Sequence, residues 1–228
     1  MIVRVFSDLE ALSHEAAQLF VQHVREAPGQ FKVALAGGST PKRLYELLAE
    51  APYRDSVDWS KVEVFFGDER WVPRTDPESN EGMARTALLD RVSIPADQVF
   101  PMYSGGDVQA GADAYEALLQ EHAPLDLVLL GMGDDGHTAS LFPGIPELWV
   151  RDRLVVPTTS LKGVPQRLSM TVRALQASKL LLFLVSGANK AEPLKRALAD
   201  DDSNRPPSGV IAKGAQQAFW FVDRAAME

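Results

Sequence analysis

The run Leu125-Asp126-Leu127-Val128-Leu129-Leu130, stopped by Gly131, admits few folds. It is almost wholly apolar and shows no polar alternation, so it reads as a strand covered on both faces, as in a parallel sheet between helices. Strands of that kind carry their functional loops at their carboxyl ends. The loop here is Gly131-Met132-Gly133-Asp134-Asp135-Gly136-His137-Thr138, which sets two carboxylates and an imidazole among glycines. His137 therefore stands where α/β enzymes keep their chemistry.

The same glycines satisfy G-x-G-x-x-G, yet the surroundings exclude a dinucleotide site. That motif must open a long helix whose amino end receives a pyrophosphate, whereas Pro143 and Gly144 interrupt the chain within about two turns. Asp134 and Asp135 would repel the diphosphate. The acid at the expected distance, Asp152, precedes an apolar run instead of ending one.

With 228 residues, 46% of them hydrophobic, the chain can bury one sizeable core. No Pro/Ser/Gly-rich linker or charge run divides it, and Ser104–Asp107 and Asp200–Pro207 read as surface turns, so residues 1–228 are expected to form a single domain. A net charge of −8 without a basic stripe argues against nucleic acid or an anionic membrane as partner. The absence of cysteine excludes disulfides, thiolate metal sites and a cysteine nucleophile. Met1–Asp8 runs into a polar helix start with no signal-peptide pattern, and no apolar run reaches spanning length; a cytoplasmic protein is expected.

Ser7-Asp8-Leu9-Glu10 is a capping-box pattern opening an amphipathic helix to about Arg25. Phe31–Ala36 reads as a strand, Gly37–Pro41 as a turn, and Lys42–Glu50 as a helix. The outline repeats with a strand at Val62–Phe66, a polar loop at Gly67–Pro77 and a helix at Ser79–Asp90. A helix from about Val108 to Gln120 precedes the Leu125–Leu130 strand. Later come strands at Leu154–Val156, Arg167–Val172 and Leu180–Val185, a helix from Ala188 to Leu198, and a last strand at Ala218–Val222. The expected fold is α/β, a modified Rossmann-like, mostly parallel sheet with helices on both faces.

Three more loops carry functional chemistry. Gly37-Gly38-Ser39-Thr40-Pro41 combines close backbone approach, two hydroxyls and a helix amino end, which suits a phosphate; an ordinary βα turn with a good cap would look the same. It lacks the spacing and lysine of a P-loop. Gly67-Asp68-Glu69-Arg70-Trp71-Val72-Pro73 leaves a buried strand, and Arg70 offers a planar fork for a carboxylate, a phosphate or an oxyanion, unless it pairs internally with Asp68 or Glu69. Lys190, after Ser186-Gly187-Ala188-Asn189, would add positive charge to a helix amino end that cations usually avoid. Arg167 could reach a ligand or merely a neighbouring acid. There is no G-x-S-x-G elbow and no H-E-x-x-H helix, and His14, His23 and His122 read as surface or boundary residues, so among the histidines only His137 is placed as a base.

Together these segments resemble the 6-phosphogluconolactonases of the glucosamine-6-phosphate isomerase/6-phosphogluconolactonase superfamily. The resemblance spans nearly the whole chain. It is carried by Ala36–Pro41, Gly67–Pro73 with Ser79-Asn80, Gly131–Pro143, Pro165-Gln166-Arg167-Leu168-Ser169 and Ser186–Lys190, in that order. The sister deaminase/isomerase group typically has a tyrosine after its Asp-Glu pair and a glutamate shortly after Asp-Gly-His; here Arg70-Trp71 and Ser140-Leu141-Phe142 stand instead. The resemblance implies hydrolysis of 6-phospho-D-glucono-1,5-lactone to 6-phosphogluconate, the second step of the oxidative pentose phosphate pathway, without metal or organic cofactor. The partner would be the phosphorylated sugar lactone, and the protein a monomer or weak dimer. His137 would take a proton from water, with Asp135 or Asp134 holding its tautomer, and Arg70 would stabilise the oxyanion or orient the sugar acid, aided by Asp68. The phosphate would lie on Gly37, Gly38, Ser39 and Thr40, with Lys190 and Arg167 as counter-charges and Gly136 and Asp134 beside the substrate. Aldose-ketose isomerase/deaminase chemistry and a non-catalytic sugar-phosphate sensor are the competing readings.

Overall fold

The computed structural model describes residues 1–228. In chain order its elements are β1 (Ile2–Phe6), α1 (Leu9–Glu26), β2 (Phe31–Leu35), α2 (Ser39–Leu48), α3 (Tyr53–Ser56), β3 (Val62–Phe66), β4 (Asp68–Arg70), α4 (Asn80–Ala87) and α5 (Val108–His122). There follow β5 (Leu127–Leu130), β6 (Val155–Thr159), β7 (Gln166–Met170), α6 (Val172–Gln176), β8 (Leu180–Val185), α7 (Ala191–Leu198), α8 (Pro207–Gly214) and β9 (Ala218–Asp223).

Six strands form one parallel sheet in the order β1-β9-β8-β5-β2-β3. Every residue of β5 and β8 is buried, which is why neither strand alternates apolar with polar residues: both faces lie under helices. Helix α1 opens on Asp8, whose carboxylate accepts from the Ala11 amide at 2.8 Å. It buries Leu12, Ala16, Phe20 and Val24, one helical turn apart. One continuous apolar core runs from Leu12 through the sheet to Ala226, with Phe183 and Trp220 stacked at 4.1 Å within it. No helix is long and apolar enough to cross a membrane.

The mostly parallel α/β architecture matches the expectation, with four local differences. The expected strands at 154–156 and 167–172 do not join the main sheet: β6 and β7 pair antiparallel, because residues 160–165 are too few for the crossover that a parallel pair needs. Asp68–Arg70, expected within a loop, is the third strand of that small sheet, ordered β4-β7-β6. Residues 2–6 form an edge strand parallel to β9, stabilised by a partner more than two hundred residues away in the chain. The expected turn at 200–207 leads into α8, with Pro207 at its first position, where a missing N–H costs nothing.

Gly67 is the pivot between the sheets. Its N–H donates to Leu35 O at 2.9 Å, and its carbonyl accepts from Met170 N at 2.8 Å. The chain thus leaves β3 and turns at once into β4, setting Asp68 and Arg70 over the carboxyl edge of the main sheet.

Leu129 is wholly buried in β5. Leu129→Ala should destabilise the fold by about 2–5 kcal/mol. Chemical denaturation should show this as a lower midpoint with an unchanged slope.

Candidate active site

The sheet order places a topological switch between β2 and β5: the chain leaves β2 for β3 on one side, and β5 for β8 on the other. In open α/β sheets such a point forms a crevice at the carboxyl edge. Two buried tyrosines hold its walls. Tyr45 accepts from Ala36 N at 2.9 Å and donates to Ala36 O at 2.8 Å, closing the end of β2. Tyr115 accepts from Phe66 N at 2.9 Å and does the same for β3. Burial pushes both phenols above the ordinary tyrosine range.

A cavity of about 310 Å³ opens at this crevice. After β2, Gly37, Gly38, Ser39 and Thr40 line it, with Gly38 at φ 97° capping α2, so the free amides of the first turn face an incoming anion. Lys190 lines it from the turn after β8 and makes no ion pair within the protein. That turn is pinned by buried Asp223, which accepts from Ser186 Oγ at 2.5 Å and from the Gly187 amide at 3.1 Å.

His137 lines the same cavity from the loop after β5. Its Nδ1 lies 2.6 Å from Asp135 Oδ1, and its backbone N–H donates to the same oxygen at 2.9 Å. Burial works against the Asp135 charge, but the two His137 hydrogen bonds outweigh it and hold the carboxyl down at about 2. With an ionised acceptor there, Nδ1 carries the proton, and in the neutral imidazole Nε2 is the nitrogen with the lone pair. The Phe142 ring packs beside the imidazole at 4.7 Å. Gly133 makes room for it, since a Cβ there would stand 2.1 Å from Nδ1.

The small sheet supplies the opposite wall. Asp68, Arg70 and Arg167 line the cavity, and Arg70 and Arg167 are direct cross-strand partners. Arg70 Nη1 donates to Glu78 O, and its buried Nε has no partner. Arg167 donates to Val164 O at 3.0 Å and Lys162 O at 3.1 Å, and no carboxylate pairs with it. Burial, and then the Arg70 charge, lower the Arg167 pKa, so an anion between the two guanidinium groups would relieve both costs.

Two expected residues lie elsewhere. Asp134 is absent from the cavity wall and turns outward to Lys162, 3.2 Å away, because the loop turns at Gly136, at φ 84°, and gives the imidazole to Asp135 alone. Gly136, at φ 84°, packs against Pro206: a Cβ there would come within 2.4 Å of it. Its role is to let the loop meet the entry of α8, and it does not touch the cavity.

Three residues that carry this geometry went unassigned in the sequence reading. Glu69, 1% exposed, accepts from the amides of Arg70, Asn80 and Glu81, each at 2.7 Å, and from Ser79 Oγ at 3.1 Å, tying β4 to the start of α4. Burial pushes its carboxyl up to about 7, against the pull of those amides. Ser140 donates to Asp68 Oδ2 at 2.6 Å, and Asn80 reaches the same carboxylate from the other side. Ser79-Asn80 was visible as part of the motif that carries the resemblance, but the bond from Asn80 to Asp68, twelve positions earlier, was not.

Residues 7–220 match the family described as glucosamine-6-phosphate isomerases/6-phosphogluconolactonase. This chain belongs to that family. The 6-phosphogluconolactonase of Nostoc sp. is 40% identical, over 98% of this chain and 96% of its own. The solved 6-phosphogluconolactonase of Trypanosoma cruzi superposes with a TM-score of 0.88 at 29% identity, over 99% of this chain and 95% of that one. A solved monomeric glucosamine-6-phosphate deaminase also reaches a TM-score of 0.88, at 23% identity and full coverage of both chains, and shares the fold.

Because the folded Asp135 pKa lies below the ordinary aspartate value of about 3.9, its contribution to stability is present above that pH and lost as pH falls toward about 2. Asp135→Asn should therefore lose less melting temperature than the parent across that window. An equal loss in both proteins would show that the His137 bonds do not hold Asp135 in its charged form.

Proposed function

We propose that this cavity hydrolyses 6-phospho-D-glucono-1,5-lactone to 6-phosphogluconate, with His137 as general base. The observation that carries the reading is the His137 pair: Nδ1 is occupied by Asp135, and Nε2 is left without a protein partner in a cavity walled by cations. Membership of the family and the 6-phosphogluconolactonase of Nostoc sp. support the substrate.

Water attacks the lactone carbonyl carbon as Nε2 takes its proton. Negative charge passes to the carbonyl oxygen, where the Arg70 guanidinium, which lines the cavity, stabilises it. The tetrahedral intermediate collapses, the ring C–O bond breaks, and the imidazolium returns its proton to the departing ring oxygen. Asp135 keeps the useful tautomer through both transfers and offsets the imidazolium charge. Asp68 sits beside Arg70 and keeps the attacking water and the sugar hydroxyls in register. The substrate phosphate takes the Gly37, Gly38, Ser39 and Thr40 loop, countered by Lys190 and Arg167. The whole chain acts as one lactonase unit, on a free small molecule in the cytoplasm, as a monomer or weak dimer.

The test generates the lactone in situ by oxidation of glucose 6-phosphate and follows 6-phosphogluconate above the spontaneous background. His137→Ala should lower kcat by about 10²- to 10⁴-fold with little change in KM. An unaltered kcat would remove His137 from the chemistry, and ammonia release from glucosamine 6-phosphate would point to the deaminase reading instead. Lys190→Ala should act chiefly on KM, by roughly 10-fold or more for a lost charge-assisted contact. A changed kcat at constant KM would take Lys190 off the phosphate.

A further inference from the structure

Asn80 is 2% exposed and touches the cavity, yet the reaction as written does not use it. Its Nδ2 donates to the Asp68 carbonyl at 2.9 Å and to Asp68 Oδ1 at 3.3 Å. The opposite amide orientation would set oxygen against oxygen, so the orientation is determined. Its Oδ1 is buried and accepts no hydrogen bond, an arrangement that proteins seldom keep without a reason. That oxygen lies against Gly37: a Cβ built there would stand 2.0 Å from it, and the other nearest atoms are also those of the Asn80 amide. Gly37 is not in the left-handed region, so the Asn80 amide is the obstacle to a side chain at this position. The Asn80 backbone is itself held, through its N–H, by buried Glu69 at 2.7 Å.

We propose that Asn80 is a positioning residue that orients the Asp68 carboxylate and couples it to the Gly37 loop. One amide thereby sets the register between the wall that carries Asp68 and Arg70 and the loop assigned to the phosphate. The inference rests on the reading of Asp68 as part of the reaction machinery. Ser140 Oγ restrains the other carboxylate oxygen at 2.6 Å, so removing Asn80 leaves Asp68 held at one point and free to rotate.

The experiment compares Asn80→Ala, Asn80→Asp, Gly37→Ala, the double variant Gly37→Ala/Asn80→Ala, and Asp68→Asn in the in situ lactone assay, with melting temperatures throughout. Asn80→Ala should lower kcat roughly 10- to 100-fold, the scale of a small misplacement, with KM nearly unchanged. Asn80→Asp places a second carboxylate against Asp68, so the acidic limb of the kcat–pH profile should move to higher pH. Gly37→Ala, which forces the amide aside, should resemble Asn80→Ala, and the double variant should be no worse than Gly37→Ala alone because the obstructing group is gone. Wild-type kcat in Asn80→Ala, additive losses in the double variant, or an unmoved acidic limb in Asn80→Asp would each overturn the proposal. If Asn80→Ala does not fold, Gly37→Ala and Asn80→Asp decide it. Full activity in Asp68→Asn would instead overturn the role given to Asp68, whereas an inactive Asp68→Asn beside an unaffected Asn80→Ala removes only the positioning role.

Discussion

The parting of β2 and β5 is the constraint on which the rest depends. These two parallel strands are hydrogen-bonded over Val33–Ala34 and Leu127–Val128, and then send the chain to opposite sides of the sheet. No crossover can cover the gap between their ends, so loop amides and carbonyls that would otherwise be satisfied within the sheet are left to the cavity, to tyrosine hydroxyls and to a ligand. Tyr45 and Tyr115 take up the last backbone groups of β2 and of its neighbour β3, so these buried donors are not left unpaired. The glycine loops then begin where the backbone can turn sharply and admit a ligand.

Charge follows the same geometry. The chain as a whole carries −8, yet the cavity gathers Arg70, Arg167 and Lys190 around the single carboxylate of Asp68. Two of those cations face each other across antiparallel strands, an arrangement that costs free energy in the empty protein. An anion bound between them would offset that cost.

The imidazole shows how little freedom such a site allows. Asp135 holds it through both a ring nitrogen and a backbone amide, Phe142 lies beside it, and the space it occupies exists only because residue 133 lacks a side chain. Orientation is therefore settled before substrate arrives. A solved glucosamine-6-phosphate deaminase shares this fold, and a shared fold does not by itself fix the chemistry.

The apolar run into Gly131, the glycine turn after β2 and the capped helices were legible because they rest on local periodicity and backbone chemistry, and these suffice to define a parallel α/β sheet with His137 at its carboxyl edge. Residues 2–6 and 68–70 were not legible as strands, since each is short and takes its stability from a remote partner. Asp134 and Asp135 were equivalent candidates in sequence; the turn at Gly136 separated them, giving one to His137 and the other to Lys162. Arg167 had no assigned neighbour until β7 was seen to pair with β4. What the amino-acid sequence determined by itself was which glycine loops follow the buried strands and which cations and imidazole they carry, because strand burial and glycine loops are encoded within short windows. Which of those groups touch was decided only by the tertiary structure, because those contacts join residues far apart in the chain.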